Sequence, residues 1–255
     1  MILSGKVAIV TGASRGLGAG MALELASKGA SVMLTYTSES STKRVEDLIS
    51  QISSLPGAPK ARGCKSDLTK INGPKAVIAE LDAWLGLGSC VDILVNNAGV
   101  ELNRSLGEIE LDDYNQIFDL NVRAPILLTQ ALLPRFSKAN NRVINIGSVG
   151  GRCGFAQLSL YCSSKAALEG LTRCWAMELG GNGTTVNQVN PGPVQTDMLD
   201  NIDKDLLEMQ KKQTAVGNRF GTVDEIAKVV SWLASPDSSW ISGQVISASG
   251  GYAMY

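Results

Sequence analysis

Tyr161 and Lys165 stand four residues apart in the run YCSSK. On a helix that spacing puts both side chains on one face, phenol beside ammonium. A free tyrosine titrates near ~10, too high to exchange protons quickly at neutral pH. A cation about 4 Å away is worth on the order of 4 kcal/mol at an effective dielectric of 20. That is enough to pull the phenol well below its usual value. A tyrosine so placed gives a proton to a forming alcohol oxygen or takes one from it. The chain contains no histidine, which excludes Ser-His-Asp and Cys-His catalysis and most zinc sites. No metal is expected, and proton transfer falls to Tyr, Lys, Asp, Glu, Cys or water.

A second chemical feature lies near the N-terminus. Thr11–Gly18 reads TGASRGLG and joins an apolar run, Lys6–Thr11, to a helical pattern that ends at Gly29. Strand, glycine turn and helix in that order form the context in which a glycine pattern binds phosphate. Gly12, Gly16 and Gly18 allow a tight turn and close approach of backbone to a pyrophosphate, with Ser14, Arg15 and Leu17 between them. The free N–H groups at the helix start then meet negative charge. An NAD site places Asp or Glu at the end of the second strand, against the ribose 2′-OH. Here Tyr36, Thr37 and Ser38 occupy that place, and the first acid is Glu39. A carboxylate would repel a 2′-phosphate, whereas hydroxyls would not. Arg15 either offers that phosphate a charge-assisted hydrogen bond or points to solvent. The pattern favours NADP over NAD.

The elements that must carry these groups can be read from periodicity. Strands are expected at Lys6–Thr11, Ser31–Tyr36, Ala61–Ser66, Val91–Val95, Arg142–Ile146, Thr184–Val189 and Gln244–Ser247. Between them helices are expected at Met21–Ala26, Ser40–Ser54, Gly73–Leu85, Leu111–Ser137, Leu160–Leu179, Leu199–Gln213 and Val223–Ala234. Pro125 and Pro134 are candidate breaks in the long fourth helix. Strands alternating with helices imply an α/β chain: a single-domain, doubly wound parallel sheet of seven strands with helices on both faces. The five cysteines are odd in number and show no CxxC spacing, so reduced thiols are expected. Net charge is −1, and no block of like charge offers a nucleic-acid or membrane footprint. No apolar run approaches the ~20 residues of a membrane span. Residues 1–6 lack a signal-peptide pattern, so a cytoplasmic location is expected.

Four motifs in this order resemble the short-chain dehydrogenase/reductase family, in its NADP-preferring branch. They are TGxxxGxG, the NNAG run Asn96–Gly99, Ser148 thirteen residues before Tyr161, and YxxxK itself. The resemblance covers essentially the whole chain and implies a Rossmann fold binding NADP(H). It also assigns roles. Ser148 would bond the substrate oxygen and hold it against Tyr161. Asn121 would support a water chain from Lys165 to solvent. Asn97, Ala98 and Gly99 would line the cofactor, as would Tyr161 and Lys165 themselves. Asp67 would face the adenine amino group, with Leu68 beside it. Beyond Pro191 and Gly192, Val194 would offer its backbone to the nicotinamide amide, and Thr196 would bond the carboxamide or the pyrophosphate. The cofactor would carry the hydride, and the protein orientation and proton chemistry. Similar proteins include 3-oxoacyl-carrier-protein reductases and ketoreductases of fungal secondary metabolism. They assemble as homodimers or homotetramers through the helices that correspond to Leu111–Ser137 and Leu160–Leu179, and through the last strand. Gly250–Tyr255 would lie at such a contact.

The substrate side is expected from three segments, 100–104, 150–160 and 197–220, the last as a lid. Leu199, Ile202, Leu206, Leu207 and Met209 give the lid an apolar face, which either packs on the body or meets ligand. Cys153, Phe155, Leu158, Leu160 and Met198 are candidates to line an apolar cleft. Arg104, Arg123 and Arg152 are the candidates to grip a carboxylate, none plainly placed to do so, and a neutral or weakly polar ketone is the preferred substrate. Carrier-protein reductases use arginines of two neighbouring helices to dock the carrier. Near those places this chain has Pro134 and Asn182, with Arg135 and Arg173 on different faces. The expected activity is NADPH-dependent reduction of a small-molecule ketone to a secondary alcohol. A redox-neutral dehydratase, cyclase or epimerase and a non-catalytic NADP(H) sensor remain as alternatives.

Overall fold

Short β-branched runs supply the strands of the computed structural model, which describes residues 1–196 and 204–255. They are β1 (Val7–Val10), β2 (Ser31–Tyr36), β3 (Ala61–Lys65), β4 (Ile93–Asn96), β5 (Arg142–Ile146), β6 (Thr185–Pro191) and β7 (Val245–Ala248). All pair in parallel in the order β3-β2-β1-β4-β5-β6-β7. The order reverses between β1 and β4, and a crevice opens there at the carboxyl ends of the strands, where ligands bind in such sheets.

The connecting helices are α1 (Gly16–Ser27), α2 (Thr42–Ser53), α3 (Gly73–Leu85), α4 (Leu111–Phe118), α5 (Ala124–Leu132), α6 (Ser159–Leu179), α7 (Lys204–Gln213) and α8 (Val223–Ala234). Alternation along each strand sends successive side chains to opposite faces. On one face Val10, Leu34, Val95, Ile144 and Val189 pack with Met21 and Leu25 of α1 and Val230 and Leu233 of α8. On the other, Ile9, Met33, Leu94, Val143 and Val186 pack with Val77 and Leu81 of α3 and Leu128 and Leu132 of α5. The seven-stranded parallel sheet and its single doubly wound layer match the expectation.

Two expectations need correction. The stretch 111–137 is not one helix with proline breaks. It is α4, a π-helical turn over Asp119–Arg123, α5 and a short 3-10 turn at Leu133–Arg135. Pro125 sits inside the start of α5, where its missing N–H is tolerated. It has no hydrogen to give the Asn121 carbonyl four residues back, and the widened turn absorbs that loss. Strand β6 runs on to Pro191, past the Val189 expected from apolarity alone. Of the expected lid helix, Lys204–Gln213 is helical and buries no residue, with Leu206 and Met209 exposed. Met198, Leu199 and Ile202 lie outside the described residues.

Candidate active site

The glycine loop is shaped by sterics that side chains would violate. Gly12 and Gly16 have φ of +64° and +53°, in the left-handed region that favours glycine. A Cβ on Gly18 would lie 2.2 Å from the Gly12 carbonyl oxygen and 2.7 Å from Asn97 Nδ2. The first turn of α1 is therefore pressed directly onto the loop, and its amides face the crevice. The loop is also stitched to the NNAG run. Thr11 Oγ1 accepts from the Asn97 and Ala98 amides, each at 2.9 Å, and Asn97 Nδ2 donates to the Thr11 carbonyl at 2.8 Å. Ala98 comes within 3.0 Å of where a Gly12 Cβ would be. Thr196 packs beside Gly16, with its Cγ2 3.8 Å from where a Cβ would stand. This is a glycine turn at a helix start that side chains could not form, and the residues present fit the pyrophosphate of a dinucleotide.

The ribose end is equally defined. Arg15 is exposed at the N-cap of α1, and Thr37 and Ser38 are exposed just past β2 and Tyr36. Ser38 Oγ shares hydrogen bonds with Ser40 and Ser41. Glu39 pairs with Lys65 at the end of β3, which holds its carboxyl below the usual range. The first acid after β2 is thus offset by a lysine that sequence reasoning missed. Asp67 Oδ1 accepts from the Thr69 amide and hydroxyl at 3.0 and 2.7 Å. Leu68 is buried next to it. Pro191 closes β6, Gly192 lies against Ser249, and buried Val194 bridges to Gly221.

The proton-transfer groups converge at the carboxyl end of β5. Ser148 follows β5 and its Oγ accepts from the Gly150 amide at 3.0 Å. Tyr161 and Lys165 lie on one face of α6, with Lys165 Nζ 5.7 Å from the tyrosine ring centre. Lys165 Nζ donates to the Ile146 carbonyl at 2.9 Å. Gly99 must be small here, because a Cβ would stand 3.2 Å from that nitrogen. Gly150 packs among Cys162 Sγ, Ser148 Oγ and the Tyr161 ring, a role for which the sequence gave no spacing signal.

The phenol is not lowered as the pair spacing alone predicts. Burial pushes Tyr161 up to about 12, against the opposing effect of a hydrogen bond with Ser148. Burial also brings Lys165 down to about 8. The cation sits over the ring rather than at the hydroxyl, so desolvation outweighs its attraction. Asn121 is buried in the π-helical turn before α5. Its amide is committed to a clamp, accepting from Val100 N and donating to Val100 O, both at 2.9 Å, and donating to Ser164 Oγ at 3.0 Å. Ser164 Oγ in turn donates to the Tyr161 carbonyl at 2.7 Å. The side chain therefore ties the NNAG loop to α6.

Beneath the site runs a buried polar layer that the sequence reading did not single out. Asn96 Nδ2 donates to Asn145 Oδ1 at 2.9 Å, and Asn145 Nδ2 donates to Thr172 Oγ1 at 2.8 Å. Gln188 Nε2 donates to Asn190 Oδ1 at 2.7 Å, and Asn190 Nδ2 donates to Glu169 Oε1 at 3.0 Å. Glu169, one turn beyond Lys165, also takes Arg152 Nε at 2.9 and 3.1 Å. The visible signal was amides inside otherwise apolar strands, at alternate positions.

Of the three candidate arginines, none reaches the cleft unengaged. Arg104 pairs with Asp113, Arg123 with Asp119 and the Thr69 carbonyl, and Arg152 with Glu169 and the Tyr255 ring. The five cysteines are free thiols. No helix among the described residues is long and apolar enough to cross a membrane.

A family profile described as enoyl-(acyl carrier protein) reductase matches residues 12–253. The short-chain dehydrogenase/reductase FrzI of Cladobotryum sp is 39% identical, over 96% of this chain and 95% of that one. The hydroxynaphthalene reductase arp2 of Aspergillus fumigatus is 37% identical, over 96% of this chain and 91% of its own. A blue fluorescent protein from a metagenomic library, solved in complex with NADPH, superposes with a TM-score of 0.91 at 38% identity over 100% of both chains. With a family profile matched over residues 12–253 and a 39% identical relative aligned over 96% of this chain, the chain belongs to the short-chain dehydrogenase/reductase family.

Proposed function

We propose that this protein is an NADPH-dependent ketoreductase that converts a small-molecule ketone to a secondary alcohol, with Tyr161 as general acid. The observation that carries the reading is the convergence of Ser148, Tyr161 and Lys165 beside the glycine cradle. NADPH supplies the hydride when bound. Gly12, Gly16, Gly18 and Thr196 would hold its pyrophosphate, Arg15, Thr37 and Ser38 its 2′-phosphate, and Asp67 and Leu68 its adenine. Ser148 holds the carbonyl oxygen, and Tyr161 gives it a proton as charge develops there. A phenol pushed up to about 12 stays protonated at neutral pH, which suits donation and thus the reductive direction. Lys165, charged below about 8, stabilises the tyrosinate left behind.

A free ketone fits better than a carrier-bound thioester. Arg135, one of the two arginines near the expected docking places, is paired with Asp82. The engaged state of Arg104, Arg123 and Arg152 argues equally against a carboxylated substrate. Residues 197–220 would act as the lid, and a homodimer or homotetramer would bury the outer faces of α4–α6.

The test follows absorbance of the reduced nicotinamide against ketones, quinones and 3-oxoacyl thioesters, with NADPH and NADH, for wild type and Tyr161→Phe. NADPH consumption by wild type alone is the expected result. Tight NADPH binding without turnover, or turnover unaffected by Tyr161→Phe, would favour a repurposed or sensing protein.

A further inference from the structure

We infer that the Glu101 carboxylate determines specificity at the mouth of the Ser148–Tyr161 cleft, favouring ketones that carry hydroxyl or protonated-amine donors over ketones that carry acids. The inference rests on the ketoreductase reading and names its substrate class. The backbone around Glu101 is fixed at both ends. Val100, just before it, is clamped through N and O by Asn121. Arg104, three residues on, donates its amide to the Gln157 carbonyl at 2.8 Å. The segment therefore spans from Asn121 to the loop that follows Ser148. Gly99, two residues before Glu101, lies against Lys165 Nζ. The backbone that carries Glu101 is thus held beside Asn121, Lys165 and the loop after Ser148, which leaves its side chain within reach of the cleft.

Glu101 has no ion-pair partner among the described residues. The nearest cation in its own segment, Arg104, is taken by Asp113. The residue is exposed overall, yet partial burial pushes its carboxyl above the ordinary range, a push that Lys165 partly opposes. Its charge in turn favours the protonated forms of Tyr161, Cys162 and Lys165. The carboxylate thus lies within electrostatic reach of those groups, and among the described residues it has acceptor capacity to spare. A donor on the ketone satisfies that capacity with a charge-assisted hydrogen bond. A carboxylate or phosphate there meets like charge, with no arginine at hand to offset it, so discrimination arises from both attraction and repulsion.

The test uses three ketones of one skeleton that bear a hydroxyl, an ammonium or a carboxylate at the same remote carbon. The kcat/KM ratio of each donor ketone to the acid is measured for wild type, Glu101→Gln and Glu101→Lys. Each ratio serves as its own control, because a folding defect lowers both members equally. Wild type should prefer the donors, Glu101→Gln should shrink the ratio roughly tenfold through KM, and Glu101→Lys should invert it. Movement of the ammonium ratio alone assigns the site to cations, and movement of both assigns it to donors in general. Turnover with ratios unchanged within about twofold would overturn the inference alone. Turnover of none of the three and of no other ketone would overturn the ketoreductase reading, and the inference with it.

Discussion

The cofactor cradle and the catalytic end occupy neighbouring strands but are built from different materials. Around β1, β2 and α1 the core is apolar, and the site is shaped by backbone: left-handed glycines, a helix start and main-chain carbonyls. Under β4–β6 and α6 the equivalent layer is a run of buried amides, Asn96, Asn145, Gln188 and Asn190, ending on Glu169. Parallel strands covered on both faces are usually near-continuous in apolar residues. Here Asn96, Asn145, Gln188 and Asn190 interrupt that pattern toward the carboxyl ends of β4, β5 and β6. The cradle needs only shape to bind a fixed ligand. The catalytic end must hold a lysine, a tyrosine and a serine in register, and directional hydrogen bonds do that better than packing.

Adding one methyl on each side separates the two designs most sharply. Gly18→Ala places a Cβ on the Gly12 carbonyl and should weaken NADPH binding by at least ~100-fold in a fluorescence titration. Gly147→Ala places a Cβ 2.1 Å from both Gln188 Nε2 and Asn190 Oδ1. It should leave NADPH affinity near wild type and lower kcat by roughly 100-fold. Equal loss of cofactor binding in both variants would erase the distinction.

Glu169→Ala removes the partner of Arg152 and Asn190 in the buried layer. A loss of about 3 kcal/mol is expected, seen as a fall in Tm of roughly 5–10 °C. An apolar-side counterpart for calibration is Val230→Ala in α8, expected to cost about 2 kcal/mol in the same melt.

pH offers a gentler probe of the catalytic side. Lys165 loses its proton near 8, while Tyr161 stays protonated to about 12. The reductive kcat/KM should hold at neutral pH and fall as pH rises through about 8. The stability term has the opposite sign. An unfolded lysine keeps its proton to its ordinary value of 10.5, so between those values the unfolded chain binds more protons and higher pH favours folding. The smallest stability effect expected is from Gly16→Ala. Its Cβ meets no protein atom closer than 3.8 Å, so in a melt without cofactor only the strain of φ +53° remains, about 1 kcal/mol.

The motifs themselves were legible because each is local. A glycine turn between strand and helix, a serine after a strand and a Tyr–Lys pair at helical spacing all declare their chemistry over a few residues. The apolar strands and their alternation with helices fixed the sheet for the same reason. Other features depended on residues far apart in the chain. The Glu39–Lys65 pair joins two strand ends, and the Asn121 clamp on Val100 exists only because a π-helical turn aims that side chain inward. The direction of the tyrosine shift was misjudged from spacing, since spacing gives the distance to a charge but not the loss of water. Sequence alone thus determined the family motifs and the strand order's ingredients, set by local spacing and composition. Tertiary structure alone decided which charges are already paired, which carboxylates are left unpaired, and how dry Tyr161 and Lys165 are. Those depend on burial and on partners that only folding brings together.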